Sequence, residues 1–215
     1  MQIAIVGTGR MARGIAYALR ETAHDITFGS RRPEEAAALA AQMSGELARR
    51  YQGTSTEAAV VRADLDFLAV PWLAALPLVT ALRPHLDGRI LVDLTNPLAA
   101  TLDDVVTPPH TSASELLAEA AGPRVRVVAA LKHTFAATFA EPGIGGGAPP
   151  DVLVAGDEAA AKERVMELVR AMGFGALDAG PLRMARALER FTPLLIGLDR
   201  ANHWQGASGL RLVHG

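Results

Sequence analysis

The residues with evident chemical use recur along the chain just after short apolar runs. The first group is Gly7-Thr8-Gly9-Arg10-Met11-Ala12, a G-x-G-x-x-A turn that follows Ile3-Ala4-Ile5-Val6 directly. Gly7 permits a tight exit from a strand, Gly9 lets the backbone approach a pyrophosphate, and Ala12 lets a helix pack closely on the sheet. The helix starting near Arg10 then aims unpaired N–H groups at phosphate oxygens, so Thr8, Arg10 and Met11 join the glycines as cofactor-contacting positions. About twenty residues on, an NAD-selective site carries a carboxylate for the ribose. This chain has Gly29-Ser30-Arg31-Arg32 there. A hydroxyl and two guanidinium groups bond to and neutralise a 2′-phosphate, which favours NADP over NAD.

Three further groups follow. Val70-Pro71-Trp72 ends another apolar run and offers a ring either to wall a cofactor or to pack on the next helix. Asn96-Pro97 presents an amide donor and acceptor suited to a nicotinamide carboxamide or its ribose, against the alternative of a plain Asn-Pro turn. Lys132-His133-Thr134-Phe135 ends a fifth run and is the candidate for the chemical side of the crevice. His133 as acid or base, as a hydrogen-bonding partner of a cofactor, or as a helix cap all remain open. The chain has no cysteine, which excludes thiolate nucleophiles, cysteine zinc sites and cysteine-bound iron–sulfur clusters. No metal centre is expected, and redox chemistry must come from bound cofactors.

These positions need a scaffold that brings several strand ends to one edge. Strands are expected at 3–6, 25–28, 64–70, 89–94 and 126–131, with helices at 10–20, 33–50, 56–62 and 74–82 between them. Gly53-Thr54-Ser55 reads as a polar break, and Ser112-Ala113-Ser114-Glu115 as a capping box. Residues 142–150 hold four glycines and three prolines, a loop and candidate flap. Beyond it, a strand at 151–156, a helix at 157–172 opened by Asp157 and a strand at 175–178 precede a helical segment at 182–204. That segment carries Leu188, Phe191, Leu195 and Leu198 on one stripe, with Pro193 bending it. The expected fold is α/β, a Rossmann-type doubly wound, mostly parallel sheet with a small C-terminal α/β extension. It divides into an NADP-binding domain at 1–140 and a smaller portion at 141–215 that completes an acceptor crevice.

With 215 residues, 50% hydrophobic and 20% charged, the chain has material for a substantial core. A net charge of −2 gives no general reason to bind nucleic acid or an anionic membrane. The chain enters its first strand directly and no apolar run would span a bilayer, so a cytoplasmic protein is expected.

The chain resembles the deazaflavin-dependent NADP oxidoreductases, the NADPH:coenzyme F420 reductase family. The likeness rests on Ile5-Val6-Gly7-Thr8-Gly9 with Gly29-Ser30-Arg31-Arg32, on Ala69-Val70-Pro71-Trp72, on Asp93-Leu94-Thr95-Asn96-Pro97 and on Val154-Ala155-Gly156-Asp157. Its most specific parts are Leu177-Asp178-Ala179-Gly180-Pro181-Leu182 and Ala185-Arg186-Ala187-Leu188-Glu189. It implies NADP held by Thr8, Ser30, Arg31 and Arg32, a deazaflavin (coenzyme F420) stacked across the nicotinamide, and a homodimer. Trp72, Asn96, Pro97 and Thr134 would shape that contact, and Lys132 or His133 would stabilise negative charge on the reduced ring. The chain departs from the family at Lys132-His133-Thr134, where Asn-Thr or His-Thr is usual, and Gly206-Ala207-Ser208-Gly209 matches its glycine-rich ending loosely. Open alternatives are an NADPH-dependent flavin or ferric reductase, a small carbonyl or imine reductase, and a non-catalytic NADPH-binding sensor.

Overall fold

Apolar runs alternating with helix-forming segments suit a sheet covered on both faces, and those of this chain lie in one eight-stranded sheet. In the computed structural model, which describes residues 1–140, 143 and 147–213, the chain runs β1 (Gln2–Val6), α1 (Arg10–Ala18), β2 (Asp25–Ser30), α2 (Pro33–Leu47), β3 (Gln52–Ser55) and α3 (Thr56–Arg62). It continues through β4 (Leu65–Leu68), α4 (Trp72–Leu86), β5 (Ile90–Asp93), α5 (Ala113–Ala121) and β6 (Arg126–Ala129). Finally come β7 (Asp151–Gly156), α6 (Ala159–Ala171), β8 (Gly175–Gly180) and α7 (Ala185–Ala201). The order across the sheet is β3-β2-β1-β4-β5-β6-β7-β8, with β3 and β8 at its edges; the first six strands are mutually parallel, β7 turns antiparallel to β6, and β8 runs parallel to β7.

Helices cover both faces. Ile15 and Ala16 of α1, Leu39 and Met43 of α2 and Val165 and Val169 of α6 pack on one side. Val79 and Leu82 of α4, Leu117 of α5 and Leu188 of α7 pack on the other. Local chemistry sets the helix starts: Pro33 opens α2 where an N–H is dispensable, and Ser55 and Ser112 accept bonds at the first turns of α3 and α5. The expected fold class is found, with differences of detail. Gly53 lies not in a polar break but in an edge strand. A Cβ there would stand 2.1 Å from the Ala36 carbonyl oxygen, so only glycine lets α2 lie this close over β3. Glu158, not Asp157, caps α6, accepting from the N–H groups of Ala160 (3.0 Å) and Ala161 (2.7 Å). Asp157 accepts instead from the Leu182 N–H at 2.8 Å. On α7 Leu188 and Leu195 are buried, but Leu198 of the expected stripe is exposed. The sheet continues unbroken past residue 140. Residues 142 and 144–146 of the expected loop lie outside the described residues.

Candidate functional site

The strand order reverses between β1 and β4, and at their carboxyl ends opens a cleft of about 950 Å³. Gly7, Thr8 and Gly9 line it between Ser30, Arg31, Arg32, Glu35 and Thr56 on the β2 side and Val70, Pro71, Leu73, Ala74, Pro77 and Leu78 on the β4 side. Gly7 has φ +125°, and a Cβ on it would stand 2.3 Å from the Ala69 carbonyl oxygen, so the turn admits only glycine. A Cβ on Gly9 would meet nothing within 4 Å and would take up cleft space. The first turn of α1 has no side-chain cap and no acidic residue, which leaves its N–H groups and positive dipole end free for an anion. Arg10 and Met11 offer that turn only their backbone: Arg10 lines a separate cavity of about 340 Å³, and Met11 packs against the core. This turn fits a pyrophosphate.

The β2 side fits a further phosphate. Arg31 is exposed and makes no ion pair among the described residues. The Ser30 hydroxyl oxygen accepts from the Arg32 N–H (3.2 Å) and lies 3.4 Å from Glu35 Oε2. Arg32 and Glu35 form an ion pair.

The residues expected after β5 and β6 also come together, but they do not line this cleft. Lys132 is the main correction: its ammonium points into the protein, fully buried, 2.7 Å from Asp93 Oδ2, 3.0 Å from Glu189 Oε1 and 2.6 Å from the Thr95 carbonyl oxygen. Burial alone would lower its pKa, but the two carboxylates outweigh burial and hold it above the ordinary lysine value. Asp93 also accepts from Ser114 Oγ (2.6 Å) and from the Thr95 N–H (2.8 Å). Glu189 accepts from the Ala113 N–H at 2.8 Å, capping α5 from α7. With its ammonium saturated in this way, Lys132 cannot reach a ligand. His133 is 4% exposed, and its Nε2 lies 3.2 Å from the Asp151 carbonyl oxygen. A carbonyl only accepts, so Nε2 carries the proton and Nδ1, unpartnered among the described residues, is a bare acceptor. Burial lowers the His133 pKa despite that bond, which disfavours a role as proton donor.

Asn96 donates to the Lys132 carbonyl at 2.6 Å, and its Oδ1 lies 3.2 Å from the Thr192 hydroxyl, so both ends of the amide are engaged inside the protein. Pro97 is buried beside it and Thr134 half-buried in the turn after β6. Trp72 packs against the core face carrying α4 rather than walling the cleft; the exposed Leu73 takes that place. Sequence reading missed Glu35, Thr56, Leu73 and Pro77 at the cleft. An apolar residue beside a Pro-Trp at a strand end was the available signal for Leu73, and the missed strand β3 was the reason Thr56 went unseen. Past α7, Asp199 accepts from the Gly206 N–H (2.9 Å) and Ser208 Oγ (2.8 Å), while Asp151 Oδ2 accepts from the Leu212 N–H (2.8 Å). The Asp151 bond, together with the Asp151 N–H donating to the Leu210 carbonyl at 2.7 Å, ties the C-terminal segment to the start of β7, while Gly206 lies near Phe135.

A family model described as NADP oxidoreductase coenzyme F420-dependent matches residues 2–97. The F420-dependent NADP reductase of Methanothermobacter marburgensis is 31% identical, over 100% of this chain and 99% of its own length. That of Methanocaldococcus jannaschii is 30% identical, again over 100% and 99%. Among solved structures, an Arthrobacter sp. FB24 protein provisionally described as an F420 dependent NADP-reductase superposes with a TM-score of 0.87 at 28% identity, covering 100% of both chains.

Proposed function

The chain belongs to the coenzyme F420-dependent NADP oxidoreductase family, and from that premise we propose that it transfers a hydride between NADPH and a deazaflavin of the coenzyme F420 type. The observation that carries this reading is the pairing of a glycine turn on an uncapped helix start with Ser30, Arg31 and Arg32 in one cleft. Gly7, Thr8 and Gly9 would hold the pyrophosphate, and Ser30 with the two arginines the 2′-phosphate. When bound, NADPH supplies the hydride and the deazaflavin ring takes it up. The chain itself supplies position and a dry contact. Val70, Pro71, Leu73 and Ala74 give the cleft an apolar wall that excludes water. Asn96, Pro97 and Thr134, held from beneath by the Lys132 network, shape the neighbouring strand ends for the second ring. Lys132 and His133 act through positioning.

In the same reading residues 1–140 bind NADP and residues 141–215 complete the acceptor crevice, the segment tied by Asp151 and Asp199 lying over it. Two copies pair as a homodimer, with the exposed Leu194 and Leu198 of α7 as the contact face, and the protein works in the cytoplasm. No helix among the described residues is long and apolar enough to cross a membrane.

The test is steady-state NADPH oxidation with deazaflavin, FMN or ferric chelate supplied in turn. Turnover with the deazaflavin far above the others is expected. Faster turnover with FMN or iron, or NADPH binding without turnover on any acceptor, would overturn the assignment.

A further inference from the structure

Glu35 is a carboxylate in a place otherwise arranged for anions. It lies in the first turn of α2, lines the cleft, forms an ion pair with Arg32 and lies within 3.4 Å of the Ser30 hydroxyl. Its oxygens therefore engage two of the three groups assigned above to the 2′-phosphate. Helix-dipole stabilisation accounts for an acidic residue in this turn but not for this contact pattern. Glu34, in the same turn, is exposed and makes no bond to Ser30 or Arg32. Arg31, the third group, has no such competitor among the described residues.

We infer that Glu35 moderates the cofactor selectivity of this chain: it acts as an internal stand-in for the 2′-phosphate, occupying Ser30 and Arg32 in the free protein. A ligand bearing that phosphate must displace the Glu35 carboxylate and then sit beside its negative charge, so Glu35 weakens the 2′-phosphorylated ligand selectively. A ligand with a free 2′-hydroxyl meets no such competition, because a hydroxyl donates to a carboxylate. Glu35 thus narrows the preference for NADP over NAD that Ser30, Arg31 and Arg32 create.

The inference rests on the 2′-phosphate reading of Ser30, Arg31 and Arg32, and the experiment separates the two. Isothermal titration calorimetry of the full chain would use adenosine 2′,5′-bisphosphate and ADP as probes, with Glu35→Gln, Glu34→Gln and Arg31→Ala variants. Glu35→Gln is expected to tighten the bisphosphate by about tenfold, the effect of removing one partly screened like charge, with ADP changed less than about twofold. Glu34→Gln, which removes the same charge from the same helix turn, should leave both ligands nearly unchanged. Weaker or unchanged bisphosphate binding in Glu35→Gln would overturn the inference and make Glu35 a brace for Arg32. Equal tightening of both probes would also overturn it, in favour of a general field effect. Arg31→Ala reports on the underlying reading: selective loss of bisphosphate binding upholds that reading whatever Glu35 does, whereas equal loss of both probes removes it and the inference together.

Discussion

Two places in this molecule join basic side chains to carboxylates, and they do opposite things. In the cleft, the side chains of Arg32 and Glu35 are 70% and 37% exposed, and Arg31 beside them makes no ion pair among the described residues. Beneath the ends of β5 and β6, Lys132, Asp93 and Glu189 are all fully buried, the ammonium bonded to both carboxylates and the carboxylates to Ser114 and to the start of α5. Water can replace either partner of the exposed pair, so its groups can be exchanged for a ligand at little cost. Nothing replaces a buried partner, so the second cluster is a brace. Its ionic character alone does not make a site; exchangeability does.

Breaking the brace should have the largest effect. Lys132→Met leaves two buried carboxylates without their cation and is expected to cost about 3–5 kcal/mol of unfolding free energy, measured by urea titration. A loss below about 1 kcal/mol would mean that water reaches the cluster.

Asp66 of β4 extends the comparison to a buried carboxylate with no partner: it is 0% exposed, and neither oxygen is hydrogen-bonded among the described residues. Burial raises its pKa to about 7 against the opposing pull of Arg89. The folded protein therefore holds this proton through a range where the unfolded chain releases it. The associated stability is present at acid pH and is lost as pH rises from the ordinary carboxylate range to about 7. The loss is on the order of 4 kcal/mol, and denaturation of Asp66→Asn across the same range should lack it.

In the cleft, Arg31→Ala with Arg32→Ala should weaken NADPH roughly a hundredfold and NADH less than about threefold, read by fluorescence titration, since charged hydrogen bonds to the 2′-phosphate are lost. The same variant should change unfolding free energy by less than about 1 kcal/mol. Equal losses for both nucleotides would sink the 2′-phosphate assignment. At the small end, Arg164→Ala removes an exposed pair with Glu167 on α6 and should shift stability by less than about 0.5 kcal/mol. A larger shift would blur the line between exposed and buried pairs.

The cleft was legible because its determinants are local. A strand, a glycine turn and a helix follow one another within a few residues, and Ser30-Arg31-Arg32 ends the very next strand. Thr56 escaped because β3 has almost no apolar signal: it is made a strand by pairing with β2 and by the close approach of α2 at Gly53. Lys132 was located in the right turn but assigned to the wrong side of it. Its partner Asp93 lies 39 residues away in sequence, and Glu189 reaches α5 across 76.

The amino-acid sequence by itself determined the order of every strand but β3, the helices between them, the glycine turn and the basic pole beside it, since each depends on hydrophobic period and on the few residue types a tight turn admits. Only the tertiary structure decided which charged groups face solvent and which are sealed within the protein. Burial depends on what distant segments lay over a residue, and it is burial that leaves one cation open to solvent and makes another a fastening between a strand and a helix.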